Sequence, residues 1–199
     1  MIRRLMIVAA ILAFVLTLAP VQALAAGAKE MVEVQVNKVL QSLAEPSFKD
    51  QPRDAKIQKI RSIVNEIFDY TELSKRTLGR EWAKFNPQQQ TEFVKLFGDL
   101  LEKTYADRLL SYSNEKVVFD KESALREDQA EVSSNIVTGD GKKIPLDYRL
   151  IRKDGTWRVY DVIIEGISLV KNYRDQFRDI LAKDSPEEVL KMLRERATK

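Results

Sequence analysis

The sequence predicts an α+β domain: helices first, an antiparallel meander of about four strands next, and a short helical tail. Three observations carry that expectation. Apolar residues recur at helical spacing from Lys29 to about Ser111, alternation replaces that spacing from Lys116, and helical spacing returns after Glu165. Runs of helices followed by runs of strands, without strict alternation of the two, describe an α+β fold. A curved sheet with long helices across one face makes a cone, which can be packed solid or left hollow.

Residues 1–25 read as a secretory signal peptide. Arg3 and Arg4 precede the apolar run Leu5–Leu18, and Ala23-Leu24-Ala25 supplies small residues for cleavage. The run is 14 residues long, shorter than the roughly 18 that a comfortable membrane span needs. Cleavage is expected after Ala25, with Ala28 as the alternative site and an uncleaved anchor as the other reading. No cysteine follows the run, which excludes a lipoprotein anchor. Residues 26–199 are then one exported, soluble domain.

The elements follow in order. Lys29–Leu43 places Val32, Val36, Val39, Leu40 and Leu43 on a helical stripe, and a polar connection spans Glu45–Pro52. Asp54–Phe68 repeats the pattern with Ile57, Ile60, Ile63, Val64, Ile67 and Phe68. Glu72–Leu78 is a short helix stopped by Gly79. Asn86-Pro87 caps and opens the longest helix, which runs to about Ser111 with a broad apolar stripe. Val117–Phe119 starts a strand, and Val132, Ser134 and Ile136 share a face in the next. Gly139-Asp140-Gly141 turns into Ile144, Leu146, Tyr148 and Leu150, and Asp154-Gly155 turns tightly into Trp157–Glu165. Helices close the chain at Leu169–Ala182 and Glu187–Arg196.

Composition excludes several functions. Without Arg3 and Arg4, the 33 basic residues become 31 against 30 acidic ones, a formal charge of +1 that does not suit a nucleic-acid binder. With no Cys, stability comes from the core and not from disulfides. With no His or Cys, the usual zinc sites and the Ser-His-Asp and Cys-His catalytic arrangements are ruled out. No Gly-rich phosphate-binding loop occurs.

Several stretches, in this order, resemble one family. They are Leu78-Gly79-Arg80-Glu81-Trp82, Tyr105-Ala106, the turn into Trp157-Arg158-Val159-Tyr160-Asp161-Val162, Glu165-Gly166-Ile167-Ser168-Leu169, and Tyr173-Arg174-x-Gln176-Phe177. Together they resemble MlaC, the periplasmic phospholipid-binding (toluene-tolerance) family, over nearly all of residues 26–199. The resemblance implies an NTF2-like cone with a deep apolar pocket for acyl chains. It also implies shuttling of phospholipid between an outer-membrane lipoprotein–porin complex and an inner-membrane ABC transporter complex with a membrane-anchored substrate-binding subunit. The cargo would be phospholipid, with no cofactor and no metal.

On that resemblance, the long helix contributes Phe93, Phe97, Leu100, Leu101 and Tyr105 to the pocket wall. Phe68, Leu73, Leu78 and Trp82 join from the preceding segments, Leu146, Tyr148, Leu150, Val162 and Ile164 from the sheet, and Tyr173 and Phe177 from the helix beyond it. Periodicity alone reads the long-helix stripe as ordinary core facing the sheet. Trp82, Tyr105, Tyr148, Trp157, Tyr160 and Tyr173 are candidates for the pocket mouth, where an amphipathic ring suits a wet-to-oily boundary, with packing on the sheet beside its turn as the preferred reading of Trp157. Arg80, Lys84, Lys171 and Arg174 either receive a phosphate, face an acidic partner, or are solvated surface charge. The tail around Lys191, Arg194 and Arg196 either touches anionic membrane or is a solvated helix end.

Two acyl chains of about 15 methylenes offer roughly 24 kcal/mol of gross burial at about 0.8 kcal/mol each. A lipid leaving a bilayer already has most of that, so a carrier needs a pocket about as apolar as the bilayer and no catalytic groups. In residues 161–170, DVIIEGISLV, Asp161 and Glu165 would share one face of a regular strand, roughly 13 Å apart. That is wider than a glycosidase carboxylate pair, and both are read as framework. Arg149, Arg158 or the backbone amides after Gly166 are the expected partners, with Ser168 ordering the junction. The competing readings are an NTF2-like enzyme using Tyr148 with Asp161, and a non-catalytic adaptor with a solid core.

Overall fold

In a computed structural model, which describes residues 27–111 and 115–198, the first described element is α1 (Ala28–Ala44). The proposed signal peptide lies outside the described residues. One stripe of α1 buries Ala28, Val32, Val39 and Leu43. The expected polar connection contains a single helical turn, α2 (Pro46–Lys49), started by Pro46 and anchored by Phe48. Phe48 packs with Val39, Leu43 and Ile60 of α3 (Arg53–Ile67). It is the one large apolar residue in that stretch, and its burial turns the connection into an element.

At the next junction, Asp69 caps α4 (Tyr70–Leu78). Its Oδ1 accepts from the Glu72 N–H at 2.7 Å, and its own N–H donates to the Val159 carbonyl at 2.9 Å. Lys153 Nζ donates to Asp69 Oδ2 at 2.6 Å and reaches Glu72 at 3.2 Å. Burial acts to raise the Asp69 pKa, but the Lys153 hydrogen bond and the backbone N–H groups outweigh it, so the carboxyl lies below its ordinary range. Its stabilising contribution is therefore present above the ordinary carboxylate pKa of about 4 and is lost as pH falls through the lowered native value. Asp69→Ala is expected to cost about 1–2 kcal/mol in urea unfolding at neutral pH, the scale of a lost N-cap. The same variant should narrow its gap to the parent protein at acidic pH, and a gap independent of pH would refute this role.

Gly79 ends α4 at φ 56°, a conformation L side chains rarely adopt, and a 3-10 turn follows over Gly79–Lys84. The predicted cap opens α5 (Pro87–Leu110): Asn86 Oδ1 accepts from Gln89 N–H at 2.9 Å, while Gln89 Oε1 accepts from Asn86 N–H at 3.1 Å.

The sheet comprises β1 (Lys116–Arg126), β2 (Gln129–Val137), β3 (Lys143–Lys153), β4 (Thr156–Ile164) and β5 (Ile167–Ser168). They pair in sequence order, all antiparallel. The fifth strand, only two residues long, is an addition to the four expected. Asp154 and Gly155 both have positive φ, 50° and 76°, as a two-residue type I′ hairpin requires. The chain closes with α6 (Leu169–Leu181) and α7 (Pro186–Thr198).

The helices form two groups. Ala28 and Val32 of α1 and Ile67 of α3 pack on one face of the sheet with Val132, Tyr148, Leu150, Val159 and Val162. The second group, α4 to α7, builds its own core from Phe93, Phe97, Tyr173, Phe177, Leu190 and their neighbours. The long helix, expected across the sheet, packs mainly on α7, α4 and α3. Helical period fixes which face of α5 is buried but not what buries it.

Candidate functional site

Strand register lays the inner face of the sheet out in rows. Val117, Ile136 and Ile144 form the first row, and Phe119, Ser134, Leu146 and Ile164 the second. Glu122, Val132, Tyr148 and Val162 form the third, and Ala124, Ala130, Leu150 and Val159 the fourth. Val132, Tyr148 and Val162 in the third row are buried, as are Ala130, Leu150 and Val159 in the fourth. The first two rows are only half-buried except at Ser134, whose hydroxyl donates to the Leu146 carbonyl at 2.5 Å.

Along β2, β3 and β4 the inner face is thus closed at one end and half-open at the other, while on β1 the order reverses, Glu122 and Ala124 being exposed and Val117 and Phe119 half-buried. Met31 and Val36 of α1, Ile63 of α3 and Leu169 of α6 are half-buried against the core of this face. Gln35 lies on the Val32–Val39 stripe of α1, and its Oε1 is buried without a hydrogen-bond partner. Among the described residues the half-buried part of this face is mainly apolar, with the Ser134 hydroxyl in its second row and the Gln35 amide on α1. Burial drives the Tyr148 phenol far above its ordinary pKa, with a Ser134 hydrogen bond acting the other way, so it stays neutral at physiological pH.

The sixteen residues singled out from the sequence divide between the two cores. Leu146, Tyr148, Leu150, Val162 and Ile164 share the inner sheet face, and Phe68 packs against both cores. Leu73, Leu78, Trp82, Phe93, Phe97, Leu100, Leu101, Tyr105, Tyr173 and Phe177 belong to the helical core. There Phe97 meets Tyr173 edge-on with centroids 5.0 Å apart and Phe177 at 5.6 Å, and Phe93 meets Phe177 at 5.2 Å. Among the sixteen, Phe68, Trp82, Tyr105, Leu146 and Ile164 keep accessible surface. Met31, Val36, Val117, Phe119, Ile136, Ile144 and Leu169 are not among the sixteen, although the alternation that identifies Leu146 also marks the strand members.

The polar-tipped aromatics do not form one ring. Tyr148 is on the inner face, Trp157 packs at its closed end beneath Arg152, and Tyr160 stacks under the Arg76 guanidinium at 3.9 Å. Trp82, Tyr105 and Tyr173 stand in the helical core. The tail helix is anchored: Val189, Leu190 and Leu193 are fully buried, and Arg194 donates to Glu92 at 2.6 Å and to Glu187 at 3.0 Å.

The carboxylates at 161 and 165 part company. Strand β4 stops at Ile164, and Glu165 is exposed in the following turn at φ 49°, so the regular-strand reading of the pair is corrected. Tyr160 is an extra residue in the ladder, because Arg149 pairs with Asp161 while Leu150 pairs with Val159. This bulge turns Asp161 away from the inner face. Its Oδ2 accepts from Ser168 Oγ at 2.6 Å, its Oδ1 from the Val170 N–H at 3.0 Å, and Arg149 Nη1 is 3.8 Å away. Ser168 in turn accepts from the Lys171 N–H at 3.0 Å and caps α6. Arg158, the other expected partner, donates instead to the Glu66 carbonyl. Tyr148 and Asp161 lie on opposite faces of the sheet and form no acid–base pair.

Two depressions lie away from the inner face. One of about 200 Å³ is lined by Leu43, Phe48, Lys49, Arg53, Lys56 and Leu110. The other, of about 610 Å³, is framed by α4, the 3-10 turn and α6. Among the described residues, no helix is long and apolar enough to cross a membrane, and no cluster of acidic, His or Cys side chains could hold a metal.

Comparison with known proteins gives a consistent result. The model of the MlaC protein family matches residues 33–195. The intermembrane phospholipid transport system binding protein MlaC of Haemophilus influenzae is 29% identical over 173 residues, which cover 80% of this chain and 81% of that protein. Toluene tolerance protein ttg2D of Pseudomonas putida is 28% identical over 138 residues, 69% of this chain and 64% of that protein. A phospholipid-binding protein from Ralstonia solanacearum, solved in complex with a phospholipid, superposes with a TM-score of 0.77 at 28% identity, over 87% of this chain and 98% of that one.

Proposed function

The chain belongs to the MlaC protein family, and from that premise we propose that it is a periplasmic phospholipid carrier which holds acyl chains on the open part of the inner sheet face. The observation that carries the reading is the half-buried apolar surface of Val117, Phe119, Ile136, Ile144, Leu146 and Ile164 on the inner sheet face. A soluble protein gains nothing by leaving such a contiguous face to water, and an acyl chain is the occupant its chemistry fits. The Ralstonia relative of the same fold was solved with a phospholipid bound. The helical core around Phe93, Phe97 and Phe177 then serves as scaffold, because its rings already contact one another on several sides.

In this account residues 1–25 are removed on export. The carrier passes lipid between an outer-membrane lipoprotein–porin complex and the membrane-anchored substrate-binding subunit of an inner-membrane ABC transporter. No bond is made or broken: the opposed placement of Tyr148 and Asp161 leaves the carrier reading ahead of an enzymatic one. The adaptor reading, a solid core that binds nothing, is separated from it by recovery of phospholipid from protein purified without detergent.

A further inference from the structure

The 610 Å³ depression is lined, among the described residues, by Lys75, Arg76, Arg80, Arg174 and Arg178 together with the carboxylates of Glu72 and Glu81. We propose that this groove docks a Glu/Asp-rich segment of a partner protein. The floor is fixed. Arg76 is held by Glu72 at 2.7 Å and by the Tyr160 ring, and the Arg174 Nε–H and Nη2–H groups donate to the Arg76 carbonyl at 2.9 and 2.6 Å. The rim cations are exposed and hold only surface ion pairs, which an incoming carboxylate can replace. The Arg80 side chain is 89% exposed and lies 3.5 Å from Glu81, a carboxylate already held by Lys84 at 2.5 Å. Lys75 is exposed, and Arg178 projects from α6 with Asp175 at 3.0 Å and Asp179 at 3.4 Å.

The C-terminal end of α4 attracts cations by its dipole and accounts for Arg174 on the Arg76 carbonyl. It does not account for Arg80 and Arg178, which come from other elements. The cargo's phosphate is not the occupant, because Tyr160 and Arg76 stand on the side of β4 away from the inner face. A flat bilayer meets a concave groove poorly, whereas an extended acidic segment follows it and offers carboxylates to several guanidinium groups in turn. Docking of this kind suits a carrier: charge steering speeds encounter without the buried contacts that slow release. The groove's chemistry stands by itself, and only its place in a shuttle rests on the carrier reading.

The test is fluorescence anisotropy of a short labelled oligo-glutamate peptide against the full mature protein. Salt is varied between about 0.01 M, where the Debye length is roughly 30 Å, and about 0.15 M, where it is roughly 8 Å. The parent protein should bind at low salt and weaken as salt rises. Lys75→Glu with Arg80→Glu should weaken binding by about tenfold or more, on the order of 1.4 kcal/mol. Lys142→Glu with Lys143→Glu, an equal charge change in the distant β2–β3 turn, should leave it within a factor of two or so of the parent at matched salt. Circular dichroism verifies folding of each variant. Equal losses in both double variants, or none in the first, would overturn the proposal. So would phosphatidylglycerol vesicles binding with the same dependence on Lys75 and Arg80, since the occupant would then be a membrane. Bound phospholipid is measured alongside: loss of lipid in the Lys75/Arg80 variant would make the groove part of the cargo site. A lipid-free parent that still binds the peptide would sink the carrier reading and leave the groove standing.

Discussion

Replacing Asp161 by alanine should cost the fold about 3 kcal/mol, the scale for removing one partner of a buried charged network. The carboxylate is 1% exposed and joins three elements: Arg149 on β3, Ser168 at the cap of α6, and the Val170 N–H in the first turn of that helix. Its removal leaves the Val170 N–H buried without an acceptor and frees the Ser168 hydroxyl that positions the cap. At about 2–4 °C per kcal/mol for a chain of this size, thermal unfolding should drop by roughly 6–12 °C. Asp161→Asn keeps one acceptor and should lose less than half as much. The substitutions are expected to act through stability alone: at a temperature where Asp161→Asn is fully folded, its bound phospholipid should match the parent's. Full stability of Asp161→Ala would show that the network is not what docks α6 on β4.

The second large effect is on cargo. Ile164→Trp combined with Leu146→Trp places two indoles side by side in the half-open second row, where Leu146 pairs with Ile164 across β3 and β4. Both positions have accessible surface to grow into, so the fold should survive with Tm changed by a few degrees, on the order of 1 kcal/mol. The space for acyl chains should shrink, and phospholipid recovered per protein should fall several-fold. Phe97→Trp in the helical core should behave oppositely. Phe97 is 1% exposed among Phe93, Tyr173 and Phe177, so overpacking should cost about 1–3 kcal/mol while lipid content per folded molecule holds. If Phe97→Trp empties the protein and the sheet variant stays full, acyl chains sit among the helices and the assignment to the inner face is wrong.

These two residues also show how far the sequence could be read. The α5 cap and its limits were legible because Asn86, Pro87 and Gln89 act locally. The Asp154-Gly155 turn was legible for the same reason, since positive φ at both positions is a local demand. The partner of α5 was not. A stripe of Phe93, Phe97, Leu100 and Leu101 states that a face is buried, and packing against α7 in place of the sheet is decided some 90 residues later by Val189, Leu190 and Leu193. The bulge at Tyr160 was invisible for a different reason. In TWRVYDVII, apolar residues continue through the register shift, so alternation gives no sign that Val159 and Val162 share a face while Asp161 turns away. Pairing with β3 creates that shift, and a strand read alone cannot reveal it. For the site, alternation identified Leu146 and Ile164, but nothing in the periodicity separates a half-open row from a closed one.

The most direct test of the carrier account is native mass spectrometry of the mature protein, purified from its host without detergent and followed by lipid extraction. The account predicts a folded protein carrying diacyl phospholipid at fixed stoichiometry, released as the intact lipid on denaturation. A well-folded protein with no bound lipid, which also takes up none from phospholipid vesicles, would contradict it.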